Sequence, residues 1–121
     1  VEEARARLAC VVCADDEMLT REEIEELARE AYDAQLQEIR DGLEQIAFDQ
    51  GLTKETTPIV VAGLGRSFLA EKAARLSGFR NVLDLEELTG LTGVARLAPA
   101  VGLSLMALTR LTGTELRWTR L

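Results

Sequence analysis

The sequence predicts an α/β chain, rich in helix, organised around one short parallel sheet. Three observations carry that expectation. Thr57 to Gly78, TPIVVAGLGRSFLAEKAARLSG, runs from an apolar β-branched stretch through two glycines into a helical pattern. Arg80 to Leu85, RNVLDL, reads as a second short strand with a single helix between it and the first. Ahead of both lies a long capped amphipathic helix from Arg21 to about Asp49. A strand, one helix and a second strand within so few residues form a right-handed β–α–β crossover, which makes the strands parallel.

Taken in order, Val1 to Cys13 reads as a helix, or a helix then a strand, with Leu8, Val11 and Val12 inward. Ala14 to Glu17 is an acidic turn. Cys10 and Cys13 are spaced C-x-x-C, but the chain has two cysteines and no histidine, which excludes a self-contained Cys/His zinc site. In an apolar segment the two thiols read as small buried hydrophobes, and no metal site is expected. Thr20-Arg21-Glu22-Glu23 is a capping box, and Leu19 with Ile24 forms a hydrophobic staple. The stripe Ile24, Leu27, Ala28, Ala31, Leu36, Ile39, Leu43, Ile46 and Ala47 then defines a helix roughly 42 Å long. Its carboxylates are spread around a solvated face, and no pair converges on a pocket as general acid–base chemistry requires.

After Gly51, the run Ile59-Val60-Val61-Ala62 opens with Pro58, where a missing N–H does least harm to a sheet. Its unbroken apolarity suits a strand buried on both faces. Gly63-Leu64-Gly65 follows, then a helix with Phe68, Leu69, Ala73 and Leu76 on one side and Gly78 as its left-handed terminator. Glycine lets the backbone approach a ligand, and the first amides of a helix have no internal partner, so such a turn can hold a phosphate. The same turn also serves a tight β–α connection on steric grounds alone, and it lacks both a third dinucleotide-fingerprint glycine and the Gly-Lys-Ser/Thr of a P-loop. Asp84 to Leu88 reads as a helical turn ended by Gly90. A last helix spans about Val94 to Leu111, with Pro99 kinking it or beginning its main segment. Its longest uncharged part, Leu97 to Thr109, reads as a buried helix, with Ala98, Ala100, Gly102 and Ser104 as a small-residue face for close packing. Strand and fraying compete on pattern in Thr114 to Leu121.

Charge divides the chain. Residues 1–50 carry 15 acids and 5 bases, and residues 51–121 carry 6 acids and 9 bases, for a net −7. The acidic half disfavours nucleic acid as a partner. With no signal peptide in the sequence and no apolar run near 18 residues, neither a membrane nor secretion is expected, and cytoplasm is the expected location. The chain opens at Val1 without an initiator Met and is helical in pattern by Glu2, as expected for a piece of a longer protein.

The element order helix–strand–GLG–helix–strand–helix resembles the latter part of the second ribonuclease-H-like half of the actin/sugar-kinase/acetate-kinase ATPase superfamily. There the strand-then-glycine turn binds adenosine. The stretches ACVVCADDEMLTREEIEELAREAYDAQ, PIVVAGLGRSFLAEKAARLSG and ARLAPAVGLSLMAL are similar to the C-terminal region of hydantoinase/oxoprolinase-like proteins of tetrahydromethanopterin-linked one-carbon metabolism. These are related to the archaeal synthase that builds the aminomethylfuran part of methanofuran. The resemblance covers about Ala4 to Leu108.

It implies a partial ribonuclease-H-like half domain, residues 1–121 forming one C-terminal domain of a longer enzyme that uses ATP, with Mg, in a condensation. It also implies that Gly63, Leu64 and Gly65 lie near adenosine or phosphates, with Arg66 and Ser67 the nearest polar side chains. Cys10 departs from the basic or bulky residue expected there. The superfamily's Asp-x-Gly-x-Thr loop and its second phosphate loop are missing from these 121 residues, so the chain alone is expected to show no turnover. Two strands make a marginal sheet, and the expected partners are a nucleotide, the remainder of the parent chain, and a second copy. The competing readings are a non-enzymatic helical interaction or oligomerisation module, and a redox protein using Cys10 and Cys13.

Overall fold

The computed structural model describes residues 2–15 and 17–113. The tail from Thr114 to Leu121, like Val1 and Asp16, lies outside the described residues. The elements are α1 (Glu2–Val11), α2 (Arg21–Gln50), β1 (Ile59–Val61), a π-helical turn (Arg66–Ala70), α3 (Glu71–Leu76), β2 (Val82–Asp84), α4 (Leu85–Thr89), a 3-10 turn (Val94–Leu97) and α5 (Ala98–Thr112). The chain divides into two compact units, Val1–Glu38 and Ile39–Leu121, with the boundary inside α2.

In the first unit, α1 is wholly helical up to Val11 and ends in a Schellman-type cap, with the Ala14 amide donating to the Ala9 carbonyl at 3.1 Å. Cys13 occupies the left-handed position of that cap, at φ 59°. This overturns the expected inward cysteines: both thiols are exposed, as are Val11 and Val12, and Ala9 is the residue buried on α1. A residue at a helix terminus turns with the departing chain, so the apolar stripe projected forward from Leu8 no longer faces the interior. In the acidic turn, Asp15 Oδ1 accepts the amides of Glu17 and Met18 at 3.0 and 2.9 Å.

The capping box that starts α2 is formed as its residue types require. The Glu23 carboxylate accepts the Thr20 amide at 2.8 Å, while Thr20 Oγ1 accepts the Glu23 amide at 3.3 Å. Ile24 and Leu36 are buried along this part of α2. Arg5 and Arg21 both reach Glu25, at 3.2 and 2.8 Å, tying α1 to the first turns of α2.

In the second unit, α2 ends at Gly51 (φ 61°), where the Leu52 amide donates to the Ala47 carbonyl at 2.8 Å. Strands β1 and β2 are parallel, pairing Ile59 with Val82, Val60 with Leu83 and Val61 with Asp84. This is the short parallel sheet of the predicted helix-rich α/β fold. It is covered less than a doubly buried strand requires: Val61 is buried, but Val60 is 47% exposed. The core under the crossover is made by Val61, Ala73, Ala74, Phe79, Val94 and Ala95. Phe79 follows Gly78, whose φ of 90° turns the chain off the end of α3.

Pro99 sits in the first turn of α5, so it begins the main helical segment instead of kinking it. The expected burial of this helix is not found. No residue of α5 is buried, and Leu103, Met106 and Leu111 are 69%, 71% and 84% exposed. Nor do its small residues share a face, because successive members spaced by two are about 200° apart around a helix. Among the described residues, nothing beyond its chain neighbours and its own helix backbone lies within 4 Å of where a Cβ on Gly102 would stand. The helical stretch Val94–Thr112, 19 residues including Arg96 and Arg110, is long and apolar enough to cross a bilayer by length and composition, a test that a core helix of a soluble protein also meets.

Candidate functional site

The carboxyl ends of β1 and β2 lie side by side, and three segments converge there: the glycine turn after β1, the start of α4 after β2, and the 3-10 turn before α5. In parallel α/β sheets this edge is where ligands enter, because the chain leaves each strand there and opens a crevice.

Gly63 takes φ 92°, a conformation that side-chain-bearing residues rarely adopt, and donates its amide to the Ala95 carbonyl at 2.8 Å. Among the described residues, no atom outside its two chain neighbours lies within 4 Å of where its Cβ would be, so its requirement is conformational. Leu64 is 73% exposed, while the Phe68 ring and the Leu69 side chain lie 3.6 Å from where a Cβ on Gly65 would stand. Gly65 has an ordinary φ of −87°, and its carbonyl accepts two amides, from Leu69 at 2.9 Å and from Ala70 at 3.2 Å. The Ala70 bond spans five residues and opens the helix with a π turn. Such an insertion rotates the following face by about 100°. Past that turn Ala73 and Ala74 take the interior and Leu76 is 52% exposed; Phe68, inside the turn, is 59% exposed. Among the described residues, the amides of Leu64, Gly65, Arg66 and Ser67 donate to no protein acceptor.

The Arg66 side chain turns toward the second strand. Its Nε donates to Asp84 Oδ2 at 2.6 Å, Nη2 pairs with Glu86 Oε2 at 3.2 Å, and Nη1 donates to the Gly63 carbonyl at 3.3 Å. Asp84 Oδ1 accepts the Glu86 amide at 2.7 Å, capping α4, while Glu86 Oε1 accepts the Gly93 amide at 3.0 Å. All four carboxylate oxygens are therefore occupied. The Glu86 amide, and after it the Arg66 guanidinium, hold the Asp84 carboxyl below its ordinary range despite the opposing effect of burial. Hydrogen bonding to Asp84 in turn raises the Arg66 pKa. The cluster is a clamp of one cation and two anions binding the glycine turn, α4 and the loop before the 3-10 turn. It leaves no free carboxylate for proton transfer.

Ser67 is exposed and lines an open concavity of about 410 Å³ with Glu71, Lys72, Arg75 and Leu76. Arg75 is engaged by Glu71 at 2.8 Å. Of the five residues singled out from the sequence, Gly63, Leu64 and Gly65 form the corner, Arg66 is drawn into the clamp, and Ser67 faces the adjoining groove. Asp84, Glu86 and Gly93 were not singled out. The signal that points to Asp84 is its position ahead of Leu-Glu-Glu-Leu, at the cap of a helical turn. Cys10 and Cys13 lie in the other unit, and among the described residues no three His, Cys, Asp or Glu side chains group to hold a metal ion.

Residues 1–96 match the family described as hydantoinase/oxoprolinase. That span is most of the 121-residue chain. The chain belongs to the hydantoinase/oxoprolinase family. No curated protein and no solved structure matches it. The portion shared with the hydantoinase/oxoprolinase family takes in the glycine turn, the Arg66–Asp84–Glu86 clamp and the Ala95 carbonyl that holds Gly63, and it stops before α5 begins at Ala98.

Proposed function

We propose that this chain is the C-terminal part of an ATP-using member of the hydantoinase/oxoprolinase family, with Gly63, Leu64, Gly65, Arg66 and Ser67 at the nucleotide. The observation that carries the reading is the row of amides from Leu64 to Ser67, unclaimed among the described residues, at the carboxyl end of a parallel strand. Backbone donors in that position suit an anionic group because the glycines keep side chains out of its way. The residues present fit a nucleotide on those terms. The amides and the Ser67 hydroxyl would contact it, while Arg66, spent on Asp84 and Glu86, would hold the turn's shape. Bound ATP, with Mg, would supply a phosphoryl group to activate a condensation. The second half of the cleft would come from the remainder of a longer chain, without which no turnover is expected. The narrower assignment, to C1-carrier metabolism linked to methanofuran and tetrahydromethanopterin, rests on the sequence resemblance between Ala4 and Leu108, and the cytoplasmic location is proposed separately, as the default for a chain with so few cysteines.

The test is amide chemical shifts of the labelled chain titrated with an ATP analogue and Mg. Shifts concentrated at Gly63 to Phe68 are expected, and a titration that leaves those amides unmoved overturns the nucleotide reading. A second reading, a helical interaction or oligomerisation module, is favoured by the uncovered apolar surface of α5. Sedimentation showing a monomer at all concentrations would remove self-association from that reading.

A further inference from the structure

The first unit holds an apolar groove with an acidic rim, unrelated to the glycine turn. Val12, Leu19 and Leu27 provide its apolar side, Glu23, Glu26 and Glu30 its acids, and its volume is about 270 Å³. Glu23 is committed to Thr20 through the capping box. Glu26 and Glu30 make no ion pair among the described residues. They stand one helical turn apart with like charge, an arrangement that disfavours a lone helix and that an incoming cation relieves. Arg5, Arg7 and Arg21 are held by other glutamates, and Arg29 does not line the groove.

Charge complementarity selects the occupant. Residues 1–38 hold 12 acids and 4 bases, a net −8. A second copy of this unit, a nucleic acid and an anionic lipid surface are all repelled by that field. An apolar floor between unpaired carboxylates matches the helix-in-groove mode, in which one apolar anchor enters while flanking charges fix the register. We propose that this groove docks a basic amphipathic segment of a partner protein, with an apolar side chain between Val12, Leu19 and Leu27 and lysines or arginines on Glu26 and Glu30.

The probes are fluorescein-labelled peptides about four helical turns long. One carries a leucine stripe flanked by lysines, the second replaces the lysines with glutamates, and the third keeps the lysines and replaces the leucines with serines. Fluorescence anisotropy on the full chain is expected to show binding of the first alone. The double variant Glu26→Lys/Glu30→Lys is expected to weaken it at least tenfold. Asp33→Lys/Glu38→Lys, which makes the same charge change elsewhere on α2, is expected to alter it less than twofold. Circular dichroism checks that both variants keep their helix content. Equal losses in the two variants overturn the proposal in favour of diffuse attraction. So does binding of the serine peptide as tight as the first, binding of the glutamate peptide, or no binding of the lysine peptide at all.

Discussion

Asp84 is the residue where the geometry of the candidate site can be read out as stability. Asp84→Ala removes two interactions together, the cap on the Glu86 amide at 2.7 Å and the acceptor for Arg66 Nε at 2.6 Å. Loss of an N-cap costs about 1 kcal/mol. With a urea slope of roughly 1.5–2 kcal/mol/M, that loss lowers the unfolding midpoint by about 0.5–0.7 M. Asparagine caps a helix as well as aspartate does but carries no charge, so Asp84→Asn isolates the pairing with Arg66. The expected order of midpoints at neutral pH is wild type, then Asp84→Asn, then Asp84→Ala, read by far-UV circular dichroism. The pH dependence has a fixed sign. The folded carboxyl titrates below its ordinary value of 3.8, so its stabilisation is complete above that value and is lost as pH falls through the lower folded value. The gap between wild type and Asp84→Asn should therefore close on acidification below about 3.8. A gap that widens there, or an Asp84→Asn variant as unstable as Asp84→Ala at neutral pH, would refute this account of the clamp.

Gly63→Ala is expected to destabilise the chain by about 1–3 kcal/mol because of its φ of 92°, whereas Gly65→Ala, at φ −87° and with 3.6 Å contacts, should be close to neutral; urea midpoints in the reverse order would contradict the turn geometry. Thr20→Ala should destabilise the first unit by about 1 kcal/mol, with Thr20→Ser much milder; unchanged hydrogen-exchange protection at the start of α2 in Thr20→Ala would count against the capping box. Cys13→Gly should raise stability by up to about 1 kcal/mol, because it relieves a left-handed residue at the cap of α1. A lowered unfolding temperature for that variant would be inconsistent with the cap.

Much of the local structure is set by residues close together in the sequence. The capping box at Thr20 and Glu23, the left-handed glycines at Gly51, Gly78 and Gly90, and the helical start at Pro99 each follow from chemistry within one helical turn. The parallel pairing of β1 and β2 follows too, since a single short helix between two strands admits little else. Burial was less legible, because it depends on what reaches a residue from elsewhere in the chain. Phe79 is enclosed and Phe68 is not: Gly78 turns the chain off α3 so that the Phe79 amide reaches back to the Ala74 carbonyl, whereas Phe68 lies within the π turn ahead of that helix. The expected inward cysteines stand in solvent for a similar reason, α1 having ended in a cap just where they fall. The tertiary structure alone decided the company Arg66 keeps. Its partner Asp84 lies 18 residues away, and only the crossover that sets two strand ends side by side brings that carboxylate within hydrogen-bond reach.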